Sequence, residues 1–186
     1  MLLFLDTEFT DLSKDGELIS LALVEHENRY CYIEFTDHWQ QRLQFLKQHS
    51  NPQYQQQAEW VEENVLPTLY KDSIFQTERP PSGSVNTKCS REEGVTVIKE
   101  FLSGYPEIEL VCDVGHFDMV QFVSLFGHAN HDLPKNISPA YWDLNQLMAS
   151  RQKKSIQEAF DIPRNNNHNA LADAIQIWRT WNETEI

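Results

Sequence analysis

The N-terminal segment constrains the fold most strongly, because a continuous apolar run leads directly into two acidic residues. Residues 2–5 are LLFL, and Asp6-Thr7-Glu8 follows at once. A short apolar run without alternation is typical of a strand buried on both faces. Side chains two residues apart in a strand point to the same side, so we expect both carboxylates at the carboxyl edge of one sheet. The alternative is a pair of solvated acids in a turn, but buried carboxylates need a partner or a metal ion.

Two further strands are predicted to follow closely. LISLALVEH at 18–26 and RYCYIEF at 29–35 contain many aliphatic and aromatic residues, which are common in strands. Because only a short turn separates them, we expect an antiparallel hairpin. Residues 38–72 are predicted to be helical, with Pro67 ending the helix. Residues 76–89 contain Pro-Pro and Ser-Gly and are predicted to be a mobile loop.

The second half of the chain alternates strands with helices. Ser90 and Glu93 have the spacing of a capping box that opens a helix,. The buried strand IELVCDV at 108–114 leads into a helix after Gly115. PAYWDLNQLMAS predicts a last strand and a short helix. NNNHNALADAIQIWRTW predicts a capped amphipathic helix with the apolar stripe Leu171, Ala174, Ile175 and Trp178,.

These elements predict one α/β domain over residues 1–186. The length suits a single hydrophobic core, and no internal repeat interrupts the chain,. Hairpin strands followed by strands that alternate with helices predict a mixed sheet flanked by helices. Trp178 and Trp181 lie at helical spacing and are expected in the core rather than as a base-stacking platform.

Two further motifs place acids near predicted strand ends. Asp118 lies in the first turn of the helix that follows IELVCDV, where a carboxylate is also favourable as a helix cap. Asp113, inside the strand, is a rival position. His168 and Asp173 are five residues apart, about 500° on an ideal helix, so they cannot share a face. We therefore expect His168 in the loop before the last helix and Asp173 in its first turns. Taken alone, they would be a loop histidine and a surface aspartate.

The order and setting of these motifs resemble the DEDDh family of 3′→5′ exonucleases, and the resemblance covers nearly the whole chain. DTEFTDLSKDGELISLALV resembles the first family motif with its following strand, VGHFDMV the second and HNALADA the third. The resemblance implies an RNase H-like fold. The small size, the ELIS segment and the VLPTL helix end look most like a branch of compact bacterial exoribonucleases.

The resemblance also implies roles for individual residues. The acids that match the family's metal ligands are Asp6, Glu8, Asp118 and Asp173, and His168 matches the general base. The main chain around Thr7, Phe9 and Thr10 would contact the terminal nucleotide. This chain departs from the family pattern at three positions: Phe9 and Asp11 replace a small residue and a glycine, and His116 replaces a short polar residue.

The implied chemistry is hydrolysis of phosphodiester bonds from the 3′ end of single-stranded RNA or of short 3′ overhangs. Carboxylates suit two Mg²⁺ or Mn²⁺ ions, which lie about 4 Å apart in such sites, with Asp6 as the expected bridging ligand. An imidazole can accept the proton of the attacking water at neutral pH. Two alternatives stay open: a DNA or short-oligonucleotide exonuclease with the same site, and a nucleic-acid-binding module that performs no catalysis.

Composition limits the partners. A net charge of −13 argues against binding long polyanions through overall charge, so the attraction must be local, at the metal ions. No apolar run approaches the roughly 20 residues that cross a membrane, and the N-terminus is expected to be a strand rather than a signal peptide. The scattered cysteines, Cys31, Cys89 and Cys112, favour neither disulfides nor a zinc knuckle and suit a reducing cytoplasm. A homo-oligomer is compatible with the sequence, which carries no signal for one.

Two remaining clusters, one of histidines and one of basic residues, give weaker functional signals. His128, His131 and Asp132 lie together, but no cysteine or further histidine is spaced to complete a zinc site. Arg151, Lys153 and Lys154 form the densest basic cluster. We expect a solvated helix end there, and the alternative is a phosphate contact near the substrate.

The charge generates a first prediction. The chain should bind long duplex nucleic acid weakly at physiological salt, and its binding of nucleic acid should depend steeply on divalent ions, because few cationic side chains are available for phosphates. Fluorescence anisotropy with labelled duplexes, with and without Mg²⁺, measures this. Tight binding that persists in a chelator would contradict it.

Overall fold

A computed structural model describes residues 1–70, 80–127, 132–152 and 168–183. A six-stranded sheet lies at its centre. The strands are β1 (Leu2–Phe9), β2 (Leu18–His26), β3 (Arg29–Phe35), β4 (Val85–Cys89), β5 (Ile108–Cys112) and β6 (Ile137–Asp143). Their order across the sheet is β4-β3-β2-β1-β5-β6.

The sheet is mixed, as predicted. β1 pairs antiparallel with β2, and β2 with β3, which is the expected hairpin. β5 pairs parallel with β1, and β6 with β5. Three antiparallel strands continued by two parallel ones form the predicted RNase H-like sheet, and β1 lies inside it with a neighbour on each side. The apolar run at 2–5 therefore does occupy an interior strand.

The predicted loop at 76–89 is wrong over its last five residues. Val85–Cys89 forms strand β4, which pairs parallel with β3 from Cys31 to Phe35. The local sequence VNTKC has little strand preference, so pairing with β3 rather than local propensity makes this segment a strand. Residues 76–79 lie outside the described part of the chain.

Six helices flank the sheet in the part of the chain that the structure describes. They are α1 (Trp39–Gln48), α2 (Pro52–Asn64), α3 (Arg91–Leu102), α4 (Gly115–Phe126), α5 (Leu144–Gln152) and α6 (Ala170–Glu183). The predicted helical region at 38–72 contains two helices in its described part, residues 38–70, since Asn51 caps a second one through a hydrogen bond from the Gln53 N–H. Pro67 lies in a 3-10 turn, Leu66–Thr68, just after α2. The capping box of Ser90 and Glu93 is present at the start of α3.

The two faces of the sheet carry separate apolar clusters. Leu3 and Leu5 of β1 belong to the cluster with α3 and α4. Phe4, which points the other way, belongs to the cluster with α5 and α6. Trp178 and Trp181 are partly buried against this second cluster, and the Trp181 ring lies 6.0 Å from that of Phe4. They pack with the core, as predicted.

A third cluster seats the α1–α2 pair on the sheet. Ile19 of β2 is fully buried among side chains of these two helices. The α1–α2 pair is therefore held on the sheet by its own apolar contacts. These contacts also bring the 3-10 turn after α2 close to the sheet. Within the described residues, none of the helices has the length and apolar character that spanning a bilayer requires.

The position of Leu5 generates a stability prediction. Its side chain is completely buried, so Leu5→Ala leaves a cavity and should lower the free energy of unfolding by about 2–5 kcal/mol. Leu12 is 62% exposed, and the matched control Leu12→Ala should change that free energy by less than about 0.5 kcal/mol. Urea denaturation followed by circular dichroism measures both. Equal losses would contradict the burial pattern.

Candidate metal centre

Three carboxylates converge beside β1. Asp6 and Glu8 lie opposite Ala22 and Ser20 of β2, on the face that α6 covers. Asp173 lies in the first turn of α6. Carboxylate oxygens of Asp6, Glu8 and Asp173 all lie within 4.8 Å of one another. The period of the strand and the first turn of the helix thus bring together three of the four predicted ligands.

The fourth acid, Asp118, is anchored to the same strand. It lies in the first turn of α4 and is almost fully buried. Its Oδ1 atom accepts hydrogen bonds from the Thr7 backbone N–H at 2.9 Å and from the Thr7 hydroxyl at 2.7 Å. Thr7 stands between Asp6 and Glu8 in the chain, so these bonds hold Asp118 at the acid pair.

Burial and mutual repulsion change the protonation of the acids. Burial, with smaller contributions from the charges of Asp173 and Asp118, raises the pKa of Glu8 to about 8. Burial and then the three neighbouring carboxylates raise the pKa of Asp6 well above its ordinary value. Burial also raises the pKa of Asp118 to about 7, although the hydrogen bonds from Thr7 lower it. Full ionisation of this cluster at neutral pH requires cationic charge nearby.

The donor set fits hard divalent cations. The grouped ligand atoms are all carboxylate oxygens, which Mg²⁺ and Mn²⁺ prefer to softer ligands. His168 is not a member of that group.

His168 lies in the predicted place, just before α6, which begins at Ala170. Its backbone is left-handed, with φ 50°. Its ring contacts the Trp60 ring edge to face, with 4.8 Å between centroids. The Thr68 hydroxyl donates to the His168 carbonyl oxygen at 2.6 Å. Helix α2 and the 3-10 turn that follows it therefore contact the segment that carries His168, the expected base.

The expected nucleotide contacts at Thr7, Phe9 and Thr10 stay a prediction, but the structure gives two of these residues another role. The N–H and hydroxyl of Thr7 both bind Asp118. Thr10 is fully buried, its N–H donates to the Glu17 carbonyl oxygen and its hydroxyl accepts from the Glu17 N–H. Phe9 is half-buried. The side chains of Thr7 and Thr10 thus stabilise the site and the turn that follows it.

Asp11 forms a buried ion pair with Arg42 of α1. Its carboxylate accepts hydrogen bonds from the Arg42 side chain at 2.8 and 3.1 Å, and it is 4% exposed. Burial raises the pKa of Asp11, but hydrogen bonds from Arg42 and Ser13 outweigh this effect and lower it. The pair ties the turn after β1 to α1. The sequence carried no signal for this pair, whose members are 31 positions apart.

Asp113, the rival acid, lies just after β5, which ends at Cys112, and not inside the strand as predicted. It also reaches the site. It lines a narrow cavity of about 40 Å³ together with Asp6 and Asp173. The Asn145 side-chain amide donates to its carbonyl oxygen at 2.6 Å and to its carboxylate at 3.1 Å. Asp113 and Asp118 therefore both stand near Asp6, and Asp118 is bonded to β1 through Thr7.

Two of the remaining predicted positions, His116 and Arg151, fall within the described residues. His116 stacks on Phe117, with 3.8 Å between ring centroids, and lines a surface groove beside α4. Arg151 is exposed in the last turn of α5. His128, His131, Lys153 and Lys154 lie outside the described residues.

Comparison with models of known protein families gives no match for this chain. A search among curated proteins finds no significant similarity either. The site is therefore interpreted from its own geometry and chemistry.

The raised pKa values generate a prediction about stability without metal. Glu8 has an ordinary pKa near 4.5 and a folded-state pKa of about 8. Between these values the unfolded chain releases a proton that the folded chain keeps, so stability must fall as pH rises. Urea denaturation in a chelator between about pH 5 and pH 8 should show this fall, and Mn²⁺ should reverse it.

Two variants locate the source of the pH effect. Glu8→Gln should flatten the decline because it removes one of the ionising groups. Glu59→Gln, at an exposed position of α2, is the matched control and should leave the decline unchanged. Equal slopes for Glu8→Gln and the unaltered chain would show that Glu8 does not titrate as described.

Proposed function

We propose that this chain is a metal-dependent 3′→5′ exonuclease that acts on single-stranded nucleic-acid ends, with RNA favoured. The observation that carries the proposal is the meeting of Asp6, Glu8 and Asp173 within 4.8 Å at a strand that also binds Asp118 through Thr7. This is the set of four acids that the DEDDh resemblance implies. The mixed sheet and the place of His168 before α6 support it.

The four acids would hold two divalent ions. Asp6 is the candidate for the ligand that the two ions would share. When bound, Mg²⁺ or Mn²⁺ would supply activation of the attacking water and stabilisation of the departing 3′-oxygen. The chain's own contribution is a rigid, partly buried set of carboxylate oxygens. Three elements, β1 and the first turns of α4 and α6, direct these oxygens toward one point from different directions.

His168 would act as the general base. Its place outside the carboxylate group leaves the imidazole available to accept the proton of the attacking water. Contacts to Trp60 and Thr68 hold its segment on the side of α2. In this mechanism the acids bind and orient, and the histidine moves the proton.

The net charge of −13 favours short or single-stranded ends over long duplexes as substrates. A chain with few free cations gains little from contacts along a phosphate backbone, so recognition is concentrated at the terminal nucleotides beside the metal. The same site would hydrolyse DNA ends or short oligonucleotides if the 2′-hydroxyl is not contacted. A binding module without catalysis would show affinity for ends and no release of nucleotides.

A degradation assay tests the proposal. With 5′-labelled single-stranded RNA and DNA and Mn²⁺, the chain should shorten the strands from the 3′ end and release mononucleotides. Asp6→Ala and Glu8→Ala should abolish this release because they remove metal ligands, while circular dichroism shows a folded chain. The control Glu59→Ala should keep the full rate. Cleavage by Asp6→Ala near the unaltered rate would overturn the metal assignment.

His168→Ala should separate proton transfer from metal binding. Loss of a general base typically lowers the rate by about 10²–10⁴, while calorimetric titration should show Mn²⁺ affinity close to that of the unaltered chain. Asp173→Ala is the comparison, because it should lose metal affinity as well as activity. If His168→Ala loses as much Mn²⁺ affinity as Asp173→Ala, the histidine is a ligand and not the base.

A further inference from the structure

The segment that carries His168 is held by side chains that lie outside the acid cluster. Trp60 contacts the His168 ring. The Thr68 hydroxyl lies 2.6 Å from the His168 carbonyl oxygen and 2.8 Å from the Val65 carbonyl oxygen, so its one hydrogen is shared between these two acceptors. One residue later, the Asn169 side-chain amide donates to the Thr68 carbonyl oxygen at 3.0 Å. Thr68 therefore bonds to two consecutive residues through its hydroxyl and its carbonyl. We call Trp60, Thr68 and Asn169 the histidine clamp.

The backbone of His168 shows why such a clamp is needed. Its φ of 50° lies in the left-handed region, which few residues with a side chain adopt. A residue keeps such a conformation when the surrounding structure over-determines it. The clamp supplies two bonds directly after the strained position, one to the His168 carbonyl oxygen and one from the side chain of Asn169.

A buried pair on the sheet extends the clamp into the core. The Asn169 amide also points to the Tyr32 hydroxyl at 3.4 Å, and that hydroxyl donates to Glu34 at 2.9 Å. Glu34 is 1% exposed and accepts a further bond from the Tyr70 N–H at 2.6 Å. Asn169 thus contacts β3 through Tyr32. In the sheet, β3 lies two strands away from β1, which carries the acid pair.

Capping of α6 accounts for only part of this arrangement. The Asn169 side-chain oxygen accepts from the Ala172 N–H at 3.1 Å, which is the capping contact. The bonds between Thr68 and residues 168 and 169, and the contact of Trp60 with the imidazole, contribute nothing to the cap. They act on the position and orientation of His168.

We infer that Trp60, Thr68 and Asn169 are positioning residues for His168, so that the α2 region orients the general base over the metal site. This inference rests on the proposed exonuclease function. A base must lie within hydrogen-bond reach of the water that it deprotonates, and a displacement of about 1 Å can cost a hundredfold in rate. The clamp residues touch His168 or its neighbour and need no contact with substrate.

Kinetics of paired variants tests the inference. Thr68→Val keeps the size of the side chain and removes the hydroxyl, and Trp60→Leu removes the ring contact. Each should lower kcat by about tenfold to a hundredfold, with KM and Mn²⁺ affinity close to those of the unaltered chain. The matched controls are Thr96→Val on α3 and Phe45→Leu on α1, which should keep the full kcat.

A double-mutant cycle separates positioning from general damage to the fold. If Thr68 acts through His168, Thr68→Val should cost nothing further in a His168→Ala background, because coupled residues are not additive. An equal loss of kcat in both backgrounds would overturn the inference. A change of KM alone would also overturn it, since that result would assign Thr68 and Trp60 to substrate binding.

A spectroscopic readout makes the clamp testable without catalysis. The chain has seven histidines, and nitrogen-15 labelling of their rings gives each an NMR signal. Thr68→Val and Trp60→Leu should shift or broaden the His168 signal and leave those of His26 and His49 in place. An unchanged His168 signal would overturn the clamp whatever the activity.

If the unaltered chain released no nucleotides while the His168 signal responded to these substitutions, the exonuclease proposal would fail and the clamp would stand as structure only.

Discussion

Burial of several carboxylates around one point of β1 is the constraint on which the rest of the structure depends. Asp6, Glu8 and Asp173 approach within 4.8 Å, and burial with mutual repulsion raises the pKa of Glu8 to about 8. Such a cluster opposes folding unless protons or cations offset its charge. Nearby hydrogen bonds offset part of this cost. Thr7 donates two of them to Asp118 and so stabilises the ionised form of that acid.

The sheet makes this concentration of charge geometrically possible. Because β1 has neighbours on both edges, its backbone is fixed by hydrogen bonds on both sides, and helices cover both faces. α6 brings Asp173 over one face, while α4 brings Asp118 to the end of the strand. The α1–α2 pair has a separate apolar anchor, and it reaches both the turn after β1, through Arg42, and the segment of His168, through Trp60. One strand thus organises contributions from four helices.

Much of the site was predictable because its signals are local. An apolar run that ends in two acids shows a buried strand and the shared side of Asp6 and Glu8. The glycine turn before Asp118 predicts that this acid lies in the first turn of a helix. The five-residue spacing from His168 to Asp173 predicts a histidine in the loop and an acid in the first turns of the last helix. Strand β4 was not predictable, since VNTKC becomes a strand only by pairing with β3. The bonds between Asp11 and Arg42, and between His168 and Thr68, join residues far apart in sequence and leave no local pattern.

The sequence by itself determined most of the elements, though not β4, and the acids that an α/β sheet would collect at its edge, because these depend on periodicity and on short-range chemistry. Only the tertiary structure decided which groups hold those acids and the histidine in place. Thr7 is the anchor of Asp118, and Trp60 and Thr68 are neighbours of His168. The physical reason is that hydrogen bonds and ring contacts depend on distance in space, and only the folded chain brings residues 60, 68 and 168 together.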